Sequence, residues 1–131
     1  MKKTGRWLVL GVALTAGAAL AQFPPALKVM KATVIANSNI VFGVSNKAPR
    51  NDAEWAAVQN AAQAMIDVSH QLMPLGPDSG REQWVQFTQD LGAASRKALD
   101  AAKARNADAA IDAGDAMFEV CEACHNRYMK K

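Results

Sequence analysis

The two cysteines of the chain lie close together, in the run Cys121-Glu122-Ala123-Cys124-His125 near the C-terminal end. C-x-x-C-H is the attachment signature of c-type haem, in which each thiol adds to a haem vinyl group and the histidine ligates the iron. Side chains three and four residues apart share one face of an α-helix, so all three groups can meet one flat macrocycle. The motif therefore predicts one haem c per chain, held by Cys121 and Cys124, with His125 as an axial iron ligand.

Other uses of paired cysteines match the sequence less well. A thioredoxin-type redox disulfide lies at the start of a helix that follows a strand, whereas this motif comes near the end of a helical pattern with no strand pattern before it. A structural zinc site needs four ligands, and the chain lacks a second C-x-x-C or H-x-x-x-H. No nucleophile or acid–base pair accompanies the motif, so we expect no enzymatic turnover.

The N-terminus has the pattern of a secretory signal peptide. Three basic residues within the first six precede the apolar stretch Trp7–Leu14, and the small-x-small sequence Ala19-Leu20-Ala21 fits a cleavage site. The alternative is an uncleaved membrane anchor, but the apolar run is short for the roughly 20 residues of a span. We therefore predict that residues 1–21 are removed, and that residues 22–131 form one exported, periplasmic domain with no membrane span.

The charge balance changes once the signal peptide is set aside. The whole chain has 15 basic and 12 acidic residues, and three of the basic ones belong to the predicted signal. The remaining domain is close to neutral, which removes the main support for nucleic-acid binding or for attraction to an anionic membrane surface.

Four Ala-rich helical patterns must position the motif, and the prolines divide them. Pro49, Pro74 and Pro77 fall between patterns, and Pro24 and Pro25 precede the first. The predicted helices cover residues 26–44, 51–73, 79–105 and 107–129. Similar lengths and short connections predict an all-α, antiparallel, up-down-up-down four-helix bundle with covalently attached haem.

Residue patterns also predict where the helices begin and which faces are buried. Asn51-x-x-Glu54 and Ser79-x-x-Glu82 match capping boxes for the second and third helices. Helical spacing predicts buried faces on the first, third and fourth helices: Leu27, Met30, Val34, Val41 and Val44; Trp84, Phe87, Leu91, Ala94, Ala98 and Ala102; and Ile111, Gly114, Met117, Phe118, Cys121, Cys124 and Tyr128.

A signal peptide, four helices and C-x-x-C-H-x-x-Tyr on the last helix resemble the class II c-type cytochromes, the cytochrome c' and low-spin four-helix group. The resemblance covers nearly all of residues 22–131. It implies thioether bonds at Cys121 and Cys124, a proximal ligand at His125, and electron transfer with redox proteins that the sequence does not identify. Such proteins often form homodimers through the first two helices, so a homodimer is left open. Met129 departs from the family, which commonly has a basic residue directly after the tyrosine.

The resemblance places the other axial position of the iron on the first helix. Met30 can supply a thioether as sixth ligand, which favours the ferrous state and suits a periplasmic electron carrier. Alternatively, Val34 or Ile35 covers a five-coordinate iron that binds nitric oxide or carbon monoxide, and Met30 is a flexible core residue.

The remaining aromatic, histidine and methionine residues are expected to be structural. His70 is predicted to be a surface residue, and Met65, Met73 and Met117 core residues. Trp55, Trp84 and Phe87 are candidates for the haem edge, although plain core packing is the alternative. Tyr128 is predicted to pack near the macrocycle and to donate a hydrogen bond to a propionate or to the backbone.

Overall fold

The computed structural model describes residues 24–129, which are helical and contain no strand. The predicted signal peptide, residues 1–21, lies outside the described residues. The first helix, α1, consists of α-helical Pro24–Val29 and Ile35–Phe42 joined by π-helical Met30–Val34. The others are α2 (Asp52–Leu72), α3 (Arg81–Lys103) and α4 (Ala107–Tyr128), and 3₁₀ turns, Gly43–Ser45 and Met73–Leu75, follow α1 and α2. For residues 24–129, the predicted all-helical bundle of four helices is therefore confirmed.

The helices pack in chain order, each against the next, and α4 returns against the second half of α1. Since α2, α3 and α4 have 21, 23 and 22 residues, each is about 30 Å long. Short loops between such helices force them to run antiparallel. The centre of the bundle is filled by large side chains without solvent exposure, Met65 and Met117, between buried alanines of α2 and α3.

Asparagine side chains cap two of the helices, as their positions predict. Asn51 Oδ1 accepts from the backbone N–H of Glu54 at 2.8 Å, and Asn106 Oδ1 accepts from that of Ala109 at 3.0 Å. The capping box predicted at Ser79 is wrong. α3 begins after Gly80, whose φ of 81° is left-handed, and no side chain caps it.

The π-helical turn of α1 explains an unusual spacing of inward-facing residues. Ala26, Met30, Val34 and Ser38 follow one another at intervals of four, and all are buried or half-buried. In a regular α-helix that interval turns the side chain by about 40° each time, because 3.6 residues complete a turn. The backbone N–H of Ile35 donates to the carbonyl of Met30, five residues back, and this wider turn takes up the excess rotation.

Two predicted core residues are instead at the surface. Leu27 and Phe118 are 47% and 55% exposed. Both lie at the edge of the buried face of their helix, next to the buried residues Ala26 and Met117. The other predicted faces are buried or half-buried, including Trp84 and Leu91 of α3.

No helix within residues 24–129 is long and apolar enough to cross a bilayer.

Candidate functional site

The C-x-x-C-H motif occupies the last two turns of α4. Cys121 and Cys124 are half-buried free thiols, and His125 is exposed at the edge of the same face. The helix continues through Tyr128, so the three side chains have the helical spacing that the sequence predicts. One face of α4 therefore presents two thiols and one imidazole together.

These side chains form one wall of a slot between α4, α3 and the start of α1. Met30 and Val34 of α1 also line it. Apolar side chains complete most of the lining: Leu72, Trp84, Phe87, Leu91 and Val120. Thr88 also lines the slot, and its hydroxyl is satisfied by donating to the carbonyl of Val85 at 2.8 Å. The lining is that of a site for an apolar group.

The interior of the slot is narrow, with a cavity volume of about 40 Å³. That is room for two or three water molecules. The α1 residues that line the slot belong to its first half, residues 24–34, which packs against α2, whereas the second half packs against α2 and also contacts α4. Two thiols and an imidazole are the donors that a c-type haem would need, but a cavity of this size is too small for a macrocycle, so one could enter only if the helices that line the slot moved apart.

Burial changes the acidity of both thiols. It raises the pKa of the Cys121 thiol, and burial together with the neighbouring Cys121 charge raises the pKa of Cys124 to about 11. Both groups are thus protonated at neutral pH. A thioredoxin-type redox pair needs the opposite, a thiol whose pKa is lowered so that it attacks as thiolate. The environment therefore disfavours the redox-disulfide alternative.

An aromatic cluster closes the slot at the C-terminal end of α4. Tyr128 donates its hydroxyl to the carbonyl of Gly80 at 2.6 Å, and its ring meets Trp84 edge-to-face at 5.2 Å. Trp84 Nε1 donates to the carbonyl of Leu72 at 2.7 Å. Phe87 meets Tyr128 at 6.3 Å, also edge-to-face. The predicted backbone partner of Tyr128 is confirmed, and the cluster ties the motif helix to the start of α3.

Two of the three residues predicted to face the other side of the iron lie in the slot. Met30 and Val34 both line the slot, with Val34 buried and Met30 half-buried. Ile35 is 55% exposed and does not line the slot. Ile35 begins the α-helical segment after the π turn, and its side chain faces solvent.

The other predicted residues divide between core, surface and slot. His70 is exposed, as predicted, and Met65 and Met117 are fully buried. Met73 is only half-buried, in the turn after α2. Trp55 belongs to a separate cluster with Val44, Val58 and Ala102, so it does not reach the slot, whereas Trp84 and Phe87 do.

Four slot residues were not singled out for this role from the sequence: Leu72, Thr88, Leu91 and Val120. Thr88 and Leu91 follow Trp84 at helical spacing, which is the signal that places them on one face of α3. Val120 precedes Cys124 by four residues and has the same signal on α4, whereas Leu72 has none.

No three His, Cys, Asp or Glu side chains within residues 24–129 converge to hold a metal ion. No protein-family model, curated protein or solved structure matches the chain.

Proposed function

We propose that the protein is an exported monohaem c-type cytochrome of the class II kind that carries electrons between redox proteins. One observation carries the proposal: the three C-x-x-C-H side chains and Met30 line the same apolar slot. Cys121 and Cys124 would hold one haem c through thioether bonds, and His125 would ligate its iron. The bound haem would supply one-electron redox chemistry.

The side chains of the chain would hold and shield this group. Buried, protonated thiols do not react as thiolates with other partners. Leu72, Trp84 and Leu91 would exclude water from the slot and so influence the reduction potential. His125 lies at the exposed edge of the slot, so an edge of the bound group would remain accessible to a partner.

Met30 is the residue on which the choice of function depends. As sixth ligand its thioether would give a six-coordinate, low-spin iron with a raised potential, which suits electron transfer. Val34 supports a second candidate function, because it is the more deeply buried residue of the same wall. If Val34 covers the iron, the site is five-coordinate and binds nitric oxide or carbon monoxide.

Absorption spectra of the mature protein, produced with the cytochrome c assembly machinery, test the proposal. We expect a pyridine haemochrome of c type that is lost in Cys121→Ala/Cys124→Ala. We also expect a methionine–iron charge-transfer band that disappears in Met30→Leu and persists in Met73→Leu, a matched change outside the slot. Absence of covalent haem would refute the whole proposal. A high-spin ferric spectrum with carbon monoxide binding would replace the carrier by the second candidate.

Haem attachment in the slot can be detected separately, by amide hydrogen exchange. Because the slot is narrow, the first half of α1 would have to move to admit the haem, and the amides of residues 24–34 should exchange more slowly once these residues pack on it. Unchanged exchange there, with haem attached, would place the group elsewhere.

A further inference from the structure

A second concavity lies outside the slot, between the second half of α1 and the middle of α4. It is a groove of about 230 Å³ whose lining includes Phe42, Ile111, Gly114 and Phe118. Phe118 is 55% exposed and meets Phe42 edge-to-face at 5.9 Å. Exposed aromatic side chains beside an apolar groove are typical of protein contact sites, where such residues act as anchors.

One edge of the groove is strongly acidic. Five carboxylates follow one another along α4 at intervals of three and four residues, and therefore share one face: Asp108, Asp112, Asp115, Glu119 and Glu122. All five are exposed, and none forms an ion pair with another described residue. From position 107 to position 124 the helix contains no basic residue. Asp115 belongs both to this acidic row and to the groove lining.

We propose that this groove is a docking site for a positively charged protein. Basic side chains of the partner would face the acidic row, while an apolar side chain would insert beside Phe42 and Phe118. Complementary charge steers such encounters, and a central apolar anchor supplies most of the affinity. The docking site itself rests on the groove and its charges, whereas its use in electron transfer rests on the proposed function.

The acidic row on α4 argues against two other occupants of the groove. A homodimer with two-fold symmetry places the same patch of both copies face to face, so two acidic rows would meet and repel. A nucleic acid or an anionic membrane surface would be repelled by the same row. If the protein does form homodimers, they should use another surface.

The position of the groove suits an electron carrier. Phe118 lies one helical turn before Cys121, and Glu122 lies between the two cysteines of the motif. A partner bound along the acidic row would therefore contact the turn that carries the proposed haem attachment.

Binding of a lysine-rich class I cytochrome c to the isotope-labelled mature protein tests this docking site. At about 10 mM ionic strength the Debye length is about 30 Å, so charge attraction is strong. We expect amide shift changes along α4 and near Phe42. The variant Asp115→Asn/Glu119→Gln should weaken binding about fivefold or more at this ionic strength, and the difference should vanish near 1 M salt. Phe118→Ala should weaken binding by a similar factor that persists in high salt.

The matched control is Asp67→Asn/Asp90→Asn, which removes two charges from α2 and α3. There Asn can keep the bonds donated by Gln63 and Gln86. If this control weakens binding as much as the α4 variant does, only net charge matters and the docking site is refuted. Shift changes confined to another face, or self-association through the groove, would refute it too. Shift changes on mixing are measured against the same protein without its partner, so they report docking whether or not haem is attached. Failure here is therefore distinct from failure of the proposed function, which the absorption spectrum reports.

Discussion

The same substitution, glycine to alanine, should have opposite effects at two buried helix positions. In a helix interior alanine is favoured over glycine by about 1 kcal/mol. At Gly114 a new Cβ would lie 3.7 Å from Phe42 and 3.8 Å from Val41, which is ordinary contact. Gly114→Ala should therefore raise the free energy of unfolding by about 0.5–1 kcal/mol.

At Gly92 the new Cβ would lie 2.7 Å from Ser69 Oγ, across the contact between α2 and α3. Ser69 is buried, and its hydroxyl donates to the carbonyl of Ile66 at 2.6 Å, so it has little freedom to move away. Overpacking of this kind costs about 1–3 kcal/mol. After the helix preference is subtracted, Gly92→Ala should lower the free energy of unfolding by about 1 kcal/mol.

A double-mutant cycle with Ser69→Ala tests whether contact with the Ser69 hydroxyl causes this loss of stability. Removing the hydroxyl leaves the Ser69 Cβ 3.4 Å from the new methyl group, a tight but tolerable contact. Ser69→Ala in the Gly92→Ala background should therefore recover most of the loss, with a coupling energy of about 0.5–1 kcal/mol. Urea unfolding followed by circular dichroism measures all four variants. Stabilisation by Gly92→Ala, or a coupling energy near zero, would refute the packing argument.

Three further predictions concern other contacts. Tyr128→Phe removes the hydrogen bond to the Gly80 carbonyl, which still accepts from the Trp84 backbone N–H at 3.1 Å. The free energy of unfolding should therefore fall by only about 1 kcal/mol, and a loss of several kcal/mol would contradict this. Deletion of exposed Ala32 should convert the π turn to α-helix and leave the melting temperature nearly unchanged. Deletion of Ala36, by contrast, should rotate the first half of α1 by about 100° and clearly lower the melting temperature. The hydrogen bond from the Arg50 backbone N–H holds the pKa of the Glu54 carboxyl below its usual range. The stabilisation that Glu54 contributes is therefore present above the ordinary carboxyl pKa and is lost as the pH falls through the lowered pKa. The difference in melting temperature between wild type and Glu54→Gln should shrink in acid.

The sequence was sufficient for the four helices because their signals are local. Prolines separate the patterns, and asparagines at positions 51 and 106 cap the helices that follow them. The start of α3 was missed because its determinant is not local. Gly80 adopts a left-handed conformation, and its carbonyl binds Tyr128, which lies 48 residues further along the chain. A capping-box pattern at Ser79 carries no information about that contact.

The candidate site was predictable in part for the same reason. The spacing of Cys121, Cys124 and His125 places them on one face of any helix that contains them. Which residues line the rest of the slot depends on how α1 approaches, and here the sequence left Met30, Val34 and Ile35 open. The π turn was not predicted, because the interval of four among Ala26, Met30, Val34 and Ser38 appears only once it is known that a small and a polar residue face inward.

Small residues along α4 explain why the slot opens at one end of the bundle. In the first half of the helix Ala110, Ala113 and Gly114 are buried, and their size lets the second half of α1 approach closely. In the second half the inward positions hold Cys121 and Cys124, and the first half of α1 packs chiefly against α2 instead. The two helices therefore diverge toward the motif. A bulky side chain at position 114 should force α1 and α4 apart at their closed end, and Gly114→Leu should then destabilise the bundle although Gly114→Ala does not.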